Sequence, residues 1–325
     1  MSAKPRLFIH VGGARHFLQW ERRIYAGHFE LVDAPGADVA VHGYGPDVIE
    51  STAALPARHR SIMVFPGFAS MSPFFDEEYR AGSAELLRQF DLVFANPGPV
   101  AAAYADLPNL RLVDFSVDVS RFSHPRYRTR LDSLLHASAD FPQKDWRRSD
   151  EVMRRTGLEY EVFPPRTEGG VARNLRRRTL LRRKLNTWSQ RMGLPFRFST
   201  PNIRYVDHTV LMKKYLHYDG FVHVAAPTPP RVDGLYTATL MEAGLTGALL
   251  FWHDTHGLGG FLESVFELPV DPQAAADRIL DIRASVDPYE QSRRTRDELA
   301  ERFAPERSVT RRCELILEQL ESRAR

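Results

Sequence analysis

The strongest constraint in this sequence is a pattern that runs once and then restarts: short apolar stretches separated by segments of helical spacing. In the first third the apolar stretches are Leu7–Val11, Asp38–His42, Ser61–Phe65, Leu92–Ala95 and Leu110–Asp114. Between them, Arg15–Ala26, Pro46–Leu55, Ala81–Phe90 and Pro99–Ala105 have helix-like spacing. Short apolar strands alternating with helices predict a parallel sheet covered on both faces. A second series then begins with the apolar run Leu131–Ala137, the helix Trp146–Thr156 and the strand Tyr160–Phe163. It continues through Ile203–Val206, a helix over Leu211–Leu216, the strand Phe221–Ala225, a helix over Tyr236–Gly244 and the strand Ala248–Trp252. From Pro272 onward the chain is charged and helical.

Two α/β units in series follow from this restart, and 325 residues suffice for two domains. The expected fold class is α/β, with two Rossmann-like domains facing a cleft. Residues 1–122 form the first and residues 123–325 the second, with a basic helical insertion near 170–195 and a C-terminal helix placed to cross back. The junction falls near 118–130. The cleft is the default ligand site.

Composition narrows the chemistry. The one cysteine, Cys313, excludes an intramolecular disulfide and a Cys-based zinc site. Leu7–Val11 is too short for a signal-peptide core, and no segment approaches the roughly 18 apolar residues of a membrane span, so a cytoplasmic protein is expected. Net charge is +3, yet Arg173, Arg176, Arg177, Arg178, Arg182, Arg183, Lys184 and Arg191 form a block without Asp or Glu. Such a block attracts anions. Leu181, Leu185 and Trp188 share one face there, as in a basic helix lying peripherally on the anionic inner face of a membrane. A solvated surface helix fits the same residues, and no base-reading module supports nucleic acid as partner.

Three motifs carry candidate chemistry. Gly12-Gly13 follows the first strand, where glycines let backbone N–H groups approach a phosphate; a tight turn without ligand fits equally well. Lys144 lies in the loop after Leu131–Ala137, at the carboxyl edge of a sheet, where it can neutralise a diphosphate or simply be solvated. Glu242 sits in an otherwise apolar helix, and its carboxylate needs a partner: a ribose diol, a cap or a buried arginine. The aromatic loop Pro66–Phe75 suits a sugar ring, an acceptor lipid or simple packing.

Taken in order, these pieces resemble the donor-binding half of GT-B glycosyltransferases, especially the retaining family 4. The resemblance runs through Val206-Asp207-His208, Leu211–Tyr215, Asp219–Val224, Ala226-Pro227-Thr228-Pro229, Glu242-Ala243 with Gly247, Gly259-Gly260-Phe261-Leu262-Glu263 and Leu268–Pro272. Upstream, Ser116–Phe122 is similar to the family's interdomain segment. The resemblance covers the last two-thirds of the chain and reaches the first third only through Gly12-Gly13 and topology.

It implies an acceptor domain over 1–122 and a nucleotide-sugar donor domain over 123–325. Glu242 would hold the ribose hydroxyls, Lys144 the donor diphosphate, and Gly13 beside Gly12 a backbone N–H from across the cleft. His208, Thr228, Tyr236 and Thr237 stand within the same motifs as further donor-binding candidates. The family carries a second acid eight residues before the ribose glutamate, where this chain has Gly234; Asp233 fills that role only with a one-residue shift, which leaves retention or inversion open. An inverting reaction needs a base from the first domain, with His10, His16, His42 and Asp76 as candidates. No Asp-x-Asp motif is present and no metal or other cofactor is expected, the donor being a UDP- or GDP-sugar substrate. The implied activity is transfer of a sugar to a glycan or lipid-linked acceptor in surface polysaccharide or glycolipid assembly. A non-catalytic nucleotide-binding docking protein, a DNA-modifying glucosyltransferase and a nucleotide-sugar epimerase are the alternatives.

Overall fold

A computed structural model of the chain describes residues 4–11, 21–33, 37–43, 59–64, 84–85, 87–97, 101–102, 104–114, 116–138, 146–163, 192, 208–224, 237–253 and 262–325. Strands β1 (Arg6–Val11), β2 (Glu30–Val32), β3 (Val39–Gly43), β4 (His59–Val64), β5 (Leu92–Ala95) and β6 (Leu110–Leu112) form one sheet in the order β2-β1-β3-β4-β5-β6. Every pairing in it is parallel. Helix α1 (Arg22–His28) joins β1 to β2. A 3-10 turn at Val119–Phe122 leads to the second sheet.

That sheet contains β7 (Ser133–Ala137), β8 (Glu159–Phe163), β9 (Gly220–His223), β10 (Leu249–Trp252) and β11 (Phe266–Glu267), in the order β11-β10-β9-β7-β8, again all parallel. Helices α2 (Trp146–Thr156), α3 (His208–His217) and α4 (Ala238–Leu245) link its strands, and α5 (Pro272–Ser285), α6 (Pro288–Phe303) and α7 (Pro305–Ala324) close the chain. The doubled strand–helix pattern of the sequence thus becomes two parallel sheets. Strands β2 and β11 are additions to the expected set, each too short to produce a periodic signal. The expected strand Ile203–Val206 and helix Pro46–Leu55 lie outside the described residues.

β7, β9 and β10 are buried at every position, as central strands covered on two faces must be. On one face, Val152 and Met153 of α2 pack with Ala275, Ile279 and Ile282 of α5 against Leu134, Leu249 and Phe251. On the other, Tyr215 of α3, Leu240 and Met241 of α4, and Leu299 and Phe303 of α6 join Leu135, Phe221 and Leu250. Gly244 is required here, because a Cβ on it would lie 2.4 Å from Leu299 Cδ1 and 2.8 Å from Leu250 Cδ1. Gly247, with φ +90°, turns the chain from α4 into β10 and brings its Cα side within 2.5 Å of the Arg126 carbonyl for any added Cβ.

Two buried arginines tie these layers together. Arg128, with no exposed surface, donates to backbone carbonyls of Tyr215 (2.5 Å), Tyr218 (3.0 Å), Thr246 (3.2 Å) and Arg126. Arg312 of α7 pairs with Glu21 just before α1, at 2.6 and 3.1 Å, both side chains being 1% exposed. Glu21 also accepts from the Ser116 hydroxyl at 2.6 Å, and Arg312 donates to the Tyr25 hydroxyl at 3.1 Å. The last helix therefore packs on α1 of the first sheet, while the Val117 N–H donates to the Phe303 carbonyl at 2.9 Å.

Removing one partner of a buried ion pair leaves the other charged and unsatisfied. Glu21→Ala should lower stability by about 3–5 kcal/mol in urea denaturation; a change below about 1 kcal/mol would show that the pair holds nothing together. Burial pushes the neighbouring Cys313 thiol up to about 12, so it carries almost no thiolate at neutral pH. Iodoacetamide should label Cys313 only as fast as α7 opens, and faster in Glu21→Ala.

Candidate nucleotide site at the carboxyl edge of the second sheet

Because the second sheet is parallel throughout, the carboxyl ends of β7, β9 and β10 share one edge. Helices α2 and α4 follow β7 and β9 in the chain, so their N-termini return to that same edge. β8 and β9 lie on opposite sides of β7, which makes the β7–β9 boundary a topological switch point. Ligands of open α/β sheets bind at such points. In the first sheet the corresponding boundary lies between β1 and β3, and there His10 and His42 are register partners one residue from each strand's end.

A histidine cluster lines the β7–β9 boundary. The His136 ring is buried, with Nδ1 2.9 Å from the Val222 carbonyl and Nε2 2.8 Å from the Ser138 hydroxyl. A carbonyl only accepts, so Nδ1 carries the proton, and in the neutral ring Nε2 accepts from Ser138. The His223 ring stacks on His136 with centroids 5.7 Å apart and planes 8° from parallel. His253, immediately after β10, is buried, and its N–H donates to the His223 carbonyl at 3.1 Å.

Glu242 lies one turn inside α4. Thr237 caps that helix: its hydroxyl oxygen accepts the Leu240 N–H at 3.2 Å and is 2.9 Å from the Thr239 hydroxyl. A carboxylate in so apolar a helix needs a partner. Part of that need is met by the Tyr215 hydroxyl of α3, which donates to Glu242 Oε2 at 3.5 Å. Burial, then the Glu242 charge and hydrogen bond, raise the Tyr215 phenol well above its ordinary value, so the group stays a neutral donor. The Glu242 residue itself is only half-buried.

Of the residues singled out in the sequence, Glu242 stands on α4 and Thr237 caps it, His208 opens α3, and His10 and His42 lie one residue before the ends of their strands. Gly12, Gly13, His16, Asp76, Lys144, Thr228, Asp233 and Tyr236 lie outside the described residues, as do the aromatic loop Pro66–Phe75 and the basic block Arg173–Arg191. Glu263 faces solvent and pairs with Arg294 at 2.8 Å, while the Glu298 carboxylate accepts the Glu263 and Ser264 N–H groups. Tyr215, Arg128, His136 and Ser138 carry no sequence signal of their own: each sits in an apolar or arginine-rich run that reads as core or surface. Among the described residues, no group of three or more His, Cys, Asp or Glu is placed to hold a metal ion, and no helix is long and apolar enough to cross a membrane.

Beside α3 a second carboxylate is held ionised. Glu161 of β8 accepts from Lys214 Nζ at 2.7 Å and from the Tyr218 hydroxyl at 2.6 Å. Burial raises its pKa, but the Lys214 and Tyr218 hydrogen bonds and the Lys214 charge outweigh it and hold the carboxyl below its ordinary value. A depressed folded value means stability that is complete above the unfolded value of about 4.3 and is lost as pH falls through the folded value. Urea midpoints should therefore drop below about pH 4.3, and Glu161→Gln should flatten part of that acid limb. An unchanged limb in the variant would remove Glu161 from the account.

No protein-family model matches the sequence, and no curated protein matches it. Solved structures do match in fold. Sucrose-phosphate synthase from Thermosynechococcus elongatus shares 13% identity at TM-score 0.64, over 98% of this chain and 100% of that one. HepE of Anabaena, in complex with UDP-glucose, shares 14% at TM-score 0.58, over 98% and 99%. An α-glucosyltransferase in complex with UDP-glucose and DNA containing an abasic site shares 8% at TM-score 0.59, over 97% and 100%. The chain therefore has the two-domain α/β fold of GT-B glycosyltransferases, matched over nearly its whole length.

Proposed function

We propose that this chain is a glycosyltransferase that takes a sugar from a UDP- or GDP-sugar and delivers it to a glycan or lipid-linked acceptor. The observation that carries this reading is the half-buried Glu242 carboxylate on α4, beside the switch point of the second sheet, in a fold whose similar structures hold UDP-glucose. Residues 123–325 form the donor domain and residues 1–122 the acceptor domain, and family 4 is the group the motifs favour. Glu242 accepts hydrogen bonds from the ribose diol. Lys144, the Gly12-Gly13 backbone and the N-terminus of α2 neutralise the diphosphate, with His208, Thr228, Tyr236 and Thr237 lining the donor.

Charge develops on the leaving nucleoside diphosphate as the glycosidic bond breaks, and the positive groups at the carboxyl edge stabilise it. Residues of this kind can do so without a metal. Asp233 faces the sugar in a retaining reaction, the outcome the motifs favour; in an inverting one, His10 or His42 takes the acceptor proton. The block Arg173–Arg191 brings the enzyme to an anionic surface, which suits a lipid-linked acceptor at the inner membrane face and a cytoplasmic protein. DNA is the second reading for the acceptor, because one similar structure is an α-glucosyltransferase with DNA bound and the block is basic.

Calorimetric titration with UDP-glucose, UDP-N-acetylglucosamine, GDP-mannose and GDP-glucose tests the reading. One of them should bind the wild type, and Glu242→Ala should weaken it by about tenfold or more, the worth of a charged hydrogen bond. Binding by no nucleotide sugar would overturn it. Release of nucleoside diphosphate on adding acceptor, lost in Lys144→Ala, separates an enzyme from a docking protein; turnover of the donor into another nucleotide sugar without acceptor would favour an epimerase.

A further inference from the structure

The ribose reading leaves open what aims Glu242. Its side chain has three rotatable bonds on a short helix, and an unrestrained carboxylate would spend part of its binding free energy on ordering. The Tyr215 hydroxyl, 3.5 Å from Glu242 Oε2, is one group that directs it. The ring behind that hydroxyl cannot move easily. Tyr215 is 1% exposed and packs edge-on against Phe221 of β9, centroids 5.9 Å apart and planes at 69°.

Its backbone is fixed as well, and by the same group that fixes α4. The Arg128 guanidinium donates to the Tyr215 carbonyl at 2.5 Å and to the Thr246 carbonyl, immediately after α4, at 3.2 Å. One planar, rigid fork therefore sets the distance between the helix bearing Tyr215 and the helix bearing Glu242. The phenol, kept neutral by its surroundings, can only donate to the carboxylate.

We propose that Tyr215 is a positioning residue for ribose recognition: it holds one oxygen of Glu242 so that the carboxylate faces the 2′- and 3′-hydroxyls of the bound nucleotide. This rests on the ribose reading of Glu242. It assigns Tyr215 no contact with the nucleotide, so its contribution must vanish when the diol is absent.

The test uses the full-length protein and four probes: UDP, GDP and the 2′,3′-dideoxy form of each. Taking whichever base binds, the wild type should prefer the ribonucleotide over its dideoxy form by about tenfold, equivalent to about 1.4 kcal/mol. Glu242→Ala should abolish that preference. Tyr215→Phe keeps the ring and should weaken the ribonucleotide several-fold while changing the dideoxy nucleotide by less than about twofold, a range that reflects one long hydrogen bond. Equal weakening of both nucleotides in Tyr215→Phe would mean a merely structural role and would overturn the proposal. Wild-type preference in Tyr215→Phe, with preference lost in Glu242→Ala, would overturn it while leaving the ribose reading standing. Preference retained in Glu242→Ala would overturn the ribose reading itself. Should Tyr215→Phe not fold, Tyr215→Leu removes the hydroxyl while keeping an apolar side chain against Phe221; weakening confined to the ribonucleotide there supports the proposal, and equal weakening of both nucleotides or unchanged preference overturns it.

Discussion

Arg128 is the constraint on which the second domain depends. Helix C-termini leave backbone carbonyls without partners and concentrate partial negative charge there. α3 and α4 both end at the amino edge of the second sheet, and there the buried Arg128 guanidinium supplies donors to the Tyr215, Tyr218 and Thr246 carbonyls. Burial, and then the nearby Arg126 charge, lower its pKa to about 10, which still leaves it charged at neutral pH. Arg126 continues the network, donating to the Leu216 and His217 carbonyls at 2.7 Å each and pairing with Asp219 at 3.4 Å. Asp219 in turn accepts from the Asp132 N–H and the Ser133 hydroxyl at the start of β7.

The consequence is a sheet with two unlike edges. At the amino edge Arg126, Arg128, Asp219 and Ser133 bond among themselves and to helix-end carbonyls, a structural network. At the carboxyl edge, strand ends and helix N-termini converge with His136, Ser138 and His223 at the β7–β9 boundary, and Glu242 stands on the helix beside it. The Glu21–Arg312 pair does for the chain's ends what Arg128 does within the domain, carrying α7 back to the first sheet.

Much of this was legible in the sequence where local signals were strong. β5 and β10 are uninterrupted apolar runs and β7 is largely apolar, so both parallel sheets could be read, and Glu242 stood out as a carboxylate in an apolar helix. What stayed hidden is non-local. Tyr215 meets Glu242 across 27 residues of sequence and looks like any core aromatic until the two helices are placed. Arg128 sits among Arg121, Arg126 and Arg130, where a buried arginine and solvated ones read alike. His136 falls in an apolar run whose partner, the Val222 carbonyl, belongs to another strand. β2 and β11 are too short for any period to register.

The central claim is that a nucleotide binds at the carboxyl edge of the second sheet with its ribose on Glu242. A crystal structure of the full chain with UDP or GDP bound tests it most directly. The account predicts the ribose hydroxyls within hydrogen-bond distance of the Glu242 carboxylate and the diphosphate near the N-terminus of α2, beside Lys144. A nucleotide seated elsewhere, with Glu242 facing only protein, would contradict it.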